Sequence, residues 1–298
     1  MPSLLDLRRR IKSVKNTRQI TKAMKMVAAA KLKRAQDRVT AARPFALKMT
    51  EVLDALSAKI GDDFTHPLMD ARGDAKYLIV LMTADKGLCG AFNSNLIKAA
   101  QVFIGENTSK TLEMMPVGRR GRDFFRRRNV PFAGEYTGLT GKGQVEFAEA
   151  REVADEIIKR FTDDETIDKV FLVFSEFKTV LSQRAVVEQL LPIARDVVND
   201  ESVAIAPSNS EAAATEYIYE QPAAEIFAKL LPRQVETQIY RAFLESIASE
   251  QGSRMTAMDS ASKNAGELID TLTLNMNRIR QAAITKEIIE VVSGASAM

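Results

Sequence analysis

From residue 3 to residue 59 the apolar positions Leu4, Leu7, Ile11 and Val14 recur at alternating steps of three and four, the spacing of a seam between paired helices, with Pro44 the single proline and no glycine. This pattern predicts one long helix. Past Val14 the apolar residues shift to a neighbouring face: Arg18, Thr21 and Lys25 fall on the original register, while Thr17, Ile20, Met24 and Val27 carry the apolar run. The seam is therefore expected to change phase there, before Ala28, Ala29 and Ala30 permit close approach of a partner. The other end of the chain mirrors the first. No proline follows Pro232, and only Gly252 and Gly266 weaken about sixty residues of helix-favouring sequence, roughly 90 Å of helix. Met258, Ala261, Ala265, Leu268, Leu272, Asn275, Ile279 and Ala282 keep the three-four alternation, so the two ends are expected to pair through a narrow, alanine-rich seam.

Between the arms the period changes. Residues 77–82, 111–117, 131–136 and 169–177 read as strands, the first and last nearly all apolar, as strands covered on both faces are. Helical stretches at 95–105, 121–128 and 144–161 separate them, the alternation of a mostly parallel sheet, and 185–191 is expected as an antiparallel neighbour of 169–177. The predicted fold class is α/β: a long antiparallel coiled coil of N- and C-terminal helices with an inserted Rossmann-like α/β domain. The expected divisions are a first shaft helix over 1–60, the inserted domain over 74–198, a connection over 199–220 and a second shaft helix over 221–298.

Composition narrows the chemistry. One cysteine, Cys89, excludes an internal disulfide, and one histidine, His66, leaves little material for a zinc site or a Ser-His-Asp triad, so both read as structural. No apolar run approaches the ~18 to 20 residues that cross a bilayer, and the chain opens on a basic amphipathic stretch without a cleavage site. A cytoplasmic or peripheral membrane location is expected. The net charge of +3 hides an asymmetry: residues 1–43 hold 13 Lys and Arg against Asp6 and Asp37.

Three segments invite a chemical reading. The loop at 83–93, TADKGLCGAFN, lies between a strand and a helix, where phosphate-cradling loops sit, yet it has neither GxGxxG nor the P-loop pattern, and Lys86 precedes its glycines. It reads as a structural turn, with a nucleotide-binding enzyme as the alternative. The run 118–128, GRRGRDFFRRR, is basic enough for a nucleic-acid protein to be the second alternative. Its Phe124 and Phe125 fit better as the buried face of a short helix. Asp163, Asp164 and Glu165 read as a solvated loop, not a pair of catalytic carboxylates. No catalytic site, cofactor site or metal site is expected.

The run IKSVKNTRQITKAMKMVAAAK at 11–31 resembles the first helix of the γ subunits of F-type ATP synthases, as do EQGSRMTAMDSASKNAG at 250–266, NRIRQAAITKEIIEVVSGA at 277–295 and the loop DKGLCG at 85–90. These strings stand at both ends and after the first strand, in the order the family has them. The resemblance implies a non-catalytic rotor shaft on the cytoplasmic face of a bacterial inner membrane. Its partners would be the α and β subunits of the catalytic head, the ε subunit and the membrane rotor ring of c subunits, with no nucleic acid and no small-molecule substrate. Proton-driven rotation would present different sides of the shaft to each β subunit and so drive ATP synthesis there.

On the same resemblance, Met24, Lys25, Arg254, Arg280, Gln281 and Thr285 match contacts to the α/β head, and Tyr217, Tyr219 and Glu220 match the surface that meets ε and the rotor ring. Lys12, Lys15, Arg18, Lys22 and Lys25 would face an acidic loop of β. Two features depart from the family. The chain has no cysteine pair of the kind that gives chloroplast relatives redox control, and Lys25 beside Met24 and the arginines at 119–128 add unusual positive charge.

Overall fold

The structure, a computed structural model, describes residues 3–60, 64–180, 182–193 and 221–296. Its elements are α1 (Leu4–Ser57), β1 (Lys76–Met82), α2 (Phe92–Glu106), β2 (Thr111–Val117), α3 (Arg119–Arg126), α4 (Phe147–Asp163), β3 (Lys169–Phe177), β4 (Gln183–Leu191) and α5 (Ala223–Ser296). The predicted helices and four of the predicted strands are present, and α1 and α5 run through Pro44 and Pro232. The described residues divide into two compact units, one of 3–30 with 254–296 and one within 31–253.

In the larger unit the sheet order is β2-β1-β3-β4, with β1 parallel to both neighbours and β4 antiparallel to β3, as the sequence predicts for that pair. The continuous apolar run of β1 follows from cover on both faces: Leu78, Ile79, Val80 and Leu81 are fully buried. On one face Ile79, Leu81 and Val173 pack with Phe92, Leu96 and Ala100 of α2 and Phe125 of α3. β1 pairs with β3 only as far as Leu81–Val173, so the backbone of β3 beyond that point needs other partners. Helix α5 supplies them. The Ser175 N–H donates to Ser246 Oγ (3.1 Å), Ser249 Oγ donates to the Ser175 carbonyl (3.2 Å), and the Phe177 N–H donates to Glu245 (3.4 Å). Helix α4 meets α5 through the edge-on rings of Phe147 and Tyr240 and through buried Glu236, which pairs with Arg233 (2.9 Å) and Arg151 (3.6 Å).

The fifth predicted strand, 131–136, is not one. It touches the outer edge of β2 only through isolated parallel bridges at Met114–Phe132 and Val117–Tyr136. Pro131 has no N–H to donate and Gly134 weakens an extended run, so the ladder cannot be continuous.

In the smaller unit, Leu7 and Ile11 of α1 form a buried cluster with Ile269 and Leu272 of α5, with Val14, Met276 and Ile279 packed against it. The expected phase change does not occur. Thr21 is 8% exposed and Ala28 is buried, while Ile20 and Val27 are 61% and 57% exposed. The seam keeps its first register straight through the polar residues Arg18, Thr21 and Lys25, and the same three-four steps continue through buried Leu32, Ala35 and Val39. A phase jump would require α1 to over- or unwind locally, which costs more than seating a few polar side chains between apolar stretches already in register. On α5 the period is as predicted, but the alternate positions lie one residue later: Ile269 is 8% exposed where Leu268 is 43%, and half-buried Met276 replaces exposed Asn275. Both choices satisfy a heptad, and the observed one sets apolar Met276 rather than polar Asn275 toward the seam.

Candidate partner-binding surfaces

The loop after β1 is built around Asp85. Its Oδ1 accepts from the N–H groups of Gly138 (3.0 Å) and Arg119 (3.1 Å), and its Oδ2 accepts from the Thr140 hydroxyl (2.9 Å) and the Gly141 N–H (2.8 Å). Burial pushes the Asp85 pKa up, but these four donors outweigh it and hold the carboxyl below its ordinary value. The first N–H of α3 and those of the turn at 138–141 are thus already taken by a side chain of this chain. Thr83 completes the knot, its Oγ1 accepting from the Gly121 N–H at 2.9 Å. Gly118 sits at φ 102, where a Cβ would lie 2.0 Å from the Thr83 carbonyl oxygen. Buried Cys89 receives Asn93 Nδ2 at 3.1 Å.

Two arginines of α3 and one just after it are engaged nearby. Arg122 pairs with Asp123 (2.8 Å), Arg126 pairs with Glu135 (2.8 Å), and the Arg128 guanidinium lies 3.7 Å from the centre of the Phe124 ring. Phe125 is buried as expected. Asp164 is not merely solvated. It binds Thr166 through the N–H (3.0 Å) and hydroxyl (2.6 Å) and pairs with Lys76 (3.2 Å), tying the end of α4 to the start of β1. The Thr166 hydroxyl, chief among these partners, lowers the Asp164 pKa despite desolvation. His66 Nδ1 accepts from the Leu68 N–H at 3.2 Å, and burial lowers its pKa against the pull of Asp70. Among the described residues no group of His, Cys, Asp and Glu could hold a metal, and no helix is long and apolar enough to cross a membrane.

In the helix-pair unit Met24 and Lys25 are half-buried. Lys25 Nζ donates to Asp259 Oδ1 at 2.6 Å, and Lys263 approaches the other oxygen at 3.1 Å. The hydrogen bond from Lys25, followed by that from Lys263, lowers the Asp259 pKa. The Lys25 charge is therefore answered within the unit. Asp259 escaped the sequence reading, although a lysine on a seam register asks for a carboxylate on the facing helix. Arg254 is half-buried, whereas Arg280, Gln281 and Thr285 are exposed, with the Thr285 hydroxyl bonded to the Gln281 carbonyl at 2.9 Å. Also unforeseen is the exposed apolar run Ile284, Ile288, Ile289 and Val291 on α5 past the cluster that faces α1. Tyr217, Tyr219 and Glu220 lie outside the described residues, as does the whole of the expected connection at 199–220.

A family model described as ATP synthase matches residues 3–298. Across all of its length the chain is 50% identical to the ATP synthase gamma chain of Solibacter usitatus, covering 99% of that relative. The chain belongs to the ATP synthase γ-chain family. The γ chain of Desulforamulus reducens, 48% identical with both chains fully covered, agrees. Among solved structures, a chain of the Tetrahymena thermophila mitochondrial ATP synthase central stalk and c-ring is 26% identical, with a TM-score of 0.59 over 82% of this chain and 99% of that one. A chain of the Euglena gracilis mitochondrial ATP synthase, from an OSCP, F1 and c-ring structure, gives a TM-score of 0.65 over 99% of this chain and 94% of that one, at 19% identity, a likeness of fold. A γ chain is a subunit of a membrane-associated complex, and the four matched strings of the sequence fall on α1, the Asp85 loop and α5.

Proposed function

We propose that this γ chain is the central-stalk rotor of a bacterial F-type ATP synthase, with no catalytic site of its own, and that it couples proton-driven rotation of a membrane ring of c subunits to ATP synthesis in the α and β subunits of the head. The observation that carries the reading is the antiparallel pairing of the two chain ends through a seam only one side chain wide. Such a pair leaves most of its circumference available to surroundings that change as it turns, and different sides of it can favour different states of a bistable partner.

The exposed ends of the contact set support the assignment of partners. The apolar cluster reaches only to Ile279, and Arg280, Gln281 and Thr285 follow it on α5, exposed. Exposed Ile284, Ile288, Ile289 and Val291 follow them, an apolar stretch that calls for cover by another chain. Arg280 offers a planar fork to a carboxylate of the head. Met24 and Arg254 serve the same partner on the helix pair, and Tyr217, Tyr219 and Glu220 serve ε and the rotor ring on the cytoplasmic side of the inner membrane.

The test is co-purification and ATP hydrolysis of α and β with the full chain, wild type against Arg280→Ala with Gln281→Ala. Retained assembly with turnover lowered by about tenfold, the loss of one charged and one neutral polar interface contact, is the expected result. Failure of α and β to assemble with the wild-type chain would overturn the reading.

A further inference from the structure

In the larger unit, α1 and the turn at 142–145 enclose a cleft of about 60 Å³ lined by Lys31, Arg34, Arg38 and Lys142 and by no acidic residue. On α1 the three cations fall at steps of three and four, on one face, with buried Ala35 between them. Val145, Leu244 and Ile247 make the rest of the floor apolar. Arg38 is steadied by donating to Gln144 Oε1 (3.0 Å), and Lys142 by Glu149 (2.6 Å) outside the cleft. Lys31 and Arg34 meet no carboxylate among the described residues. Gly143 has φ 77, a conformation that favours glycine, and a Cβ there would lie 3.1 Å from Lys31 Nζ, so the ammonium lies close against the turn.

Lys31, Arg34 and Arg38 over an apolar floor, with Lys142 beside them paired to Glu149, repel one another more than they would in open water, and a bound anion relieves that repulsion. We propose that this cleft is a binding site for a tetrahedral oxyanion: phosphate, free or as the end of a phosphorylated small molecule. The arginine forks offer paired donors and the lysines offer point charges, the two complementary ways in which proteins hold phosphate. The cleft has room for a phosphate group and is open to solvent, into which the rest of a larger ligand would project. The site is independent of the rotor reading and would make the stability of this chain responsive to phosphate.

The experiment is thermal unfolding of the full chain in inorganic phosphate, pyrophosphate, ADP or chloride at matched ionic strength and without divalent metal. Phosphate and pyrophosphate should raise the melting temperature above that in chloride, pyrophosphate more, and ADP no more than pyrophosphate. Arg34→Ala combined with Lys142→Ala, both exposed and free of core packing, should weaken pyrophosphate binding by about a hundredfold, two charge-assisted contacts at about tenfold each. Lys12→Ala, a basic α1 residue outside the cleft, should leave it unchanged. Equal shifts in phosphate and chloride, an equal loss in the Lys12 variant, or stabilisation by ADP alone would each overturn the proposal. If phosphate has no effect but the double variant no longer assembles with the head, the cleft belongs to an acidic partner segment instead, and the proposal fails.

Discussion

The two units of this chain are held by different amounts of the same force. In the sheet unit four successive residues of β1 have no solvent contact, α2 and α3 cover one face of the sheet, and α5 bonds to β3. In the helix pair the apolar cluster of Leu7, Ile11, Ile269 and Leu272 keeps 5–8% of its surface exposed, and the next residues around each helix are open. Hydrophobic burial grows with the number of layers, so the sheet unit specifies itself, whereas the pair is specified by periodicity and a few cross-helix contacts. On the rotor reading the difference is functional. A thin seam leaves the outer faces for partners, and the ion pair of Lys25 with Asp259 fixes the register that apolar burial alone would hold loosely.

The largest effect should come from the sheet unit. Phe174 is fully buried on β3, with the Arg241 guanidinium 5.9 Å from its ring centre. Phe174→Ala should cost about 3–5 kcal/mol in urea unfolding followed by circular dichroism, enough to unfold a marginal unit. Ile269→Ala should cost about 2 kcal/mol, the low end for such truncations, because its site is open on one side and can relax. Hydrogen exchange gives the sharper test of the comparison. Protection should fall in residues 4–30 and 254–279 for Ile269→Ala while the sheet amides hold theirs. Equal loss in both regions would show one cooperative unit and break the distinction.

A smaller effect separates the units by pH. Burial, reinforced by Glu176 and Glu188, raises the Glu245 pKa above its ordinary value against the pull of Arg241 and the Phe177 N–H. An acid whose pKa rises on folding favours the neutral form there. Its contribution is therefore full below about pH 4.5 and is lost as pH rises through the raised folded value. Glu245→Gln removes that loss. The melting temperature of the variant relative to wild type should climb as the pH rises above about 4.5 and level once the folded carboxyl has ionised, a trend opposite to that of an ordinary salt-bridged carboxylate.

The sheet was legible because each signal was redundant: apolar runs, turn residues and helix periods all agreed at β1, β2, β3 and β4. The segment 131–136 failed because its alternation was read without the weight that Pro131 and Gly134 deserve. Asp85 was missed for a different reason. Its donors come from 119, 138, 140 and 141, far along the chain, and no local spacing announces a carboxylate that fastens three segments. In the helix pair the period was legible but the phase was not, since local hydrophobicity votes for Ile20, Met24 and Val27 while a straight helix must obey residues on both sides of them. Tyr217, Tyr219 and Glu220 rest on resemblance alone.

That phase is also the subject of the smallest predicted effect. If apolar character alone set the seam, Ile20 and Val27 would be core residues and Ile20→Ala would cost as much as Ile269→Ala. In the observed register Ile20 is 61% exposed and Thr21 stands in the seam, so Ile20→Ala should lower the unfolding free energy of the isolated chain, measured in urea, by no more than about 0.5 kcal/mol. The same substitution removes apolar area from a face that the rotor reading assigns to the head. Its effect should therefore appear in assembly with α and β and be absent from the stability of the chain alone. A loss of about 2 kcal/mol in the isolated chain would restore the shifted seam and with it the neighbouring face as the place where α5 packs.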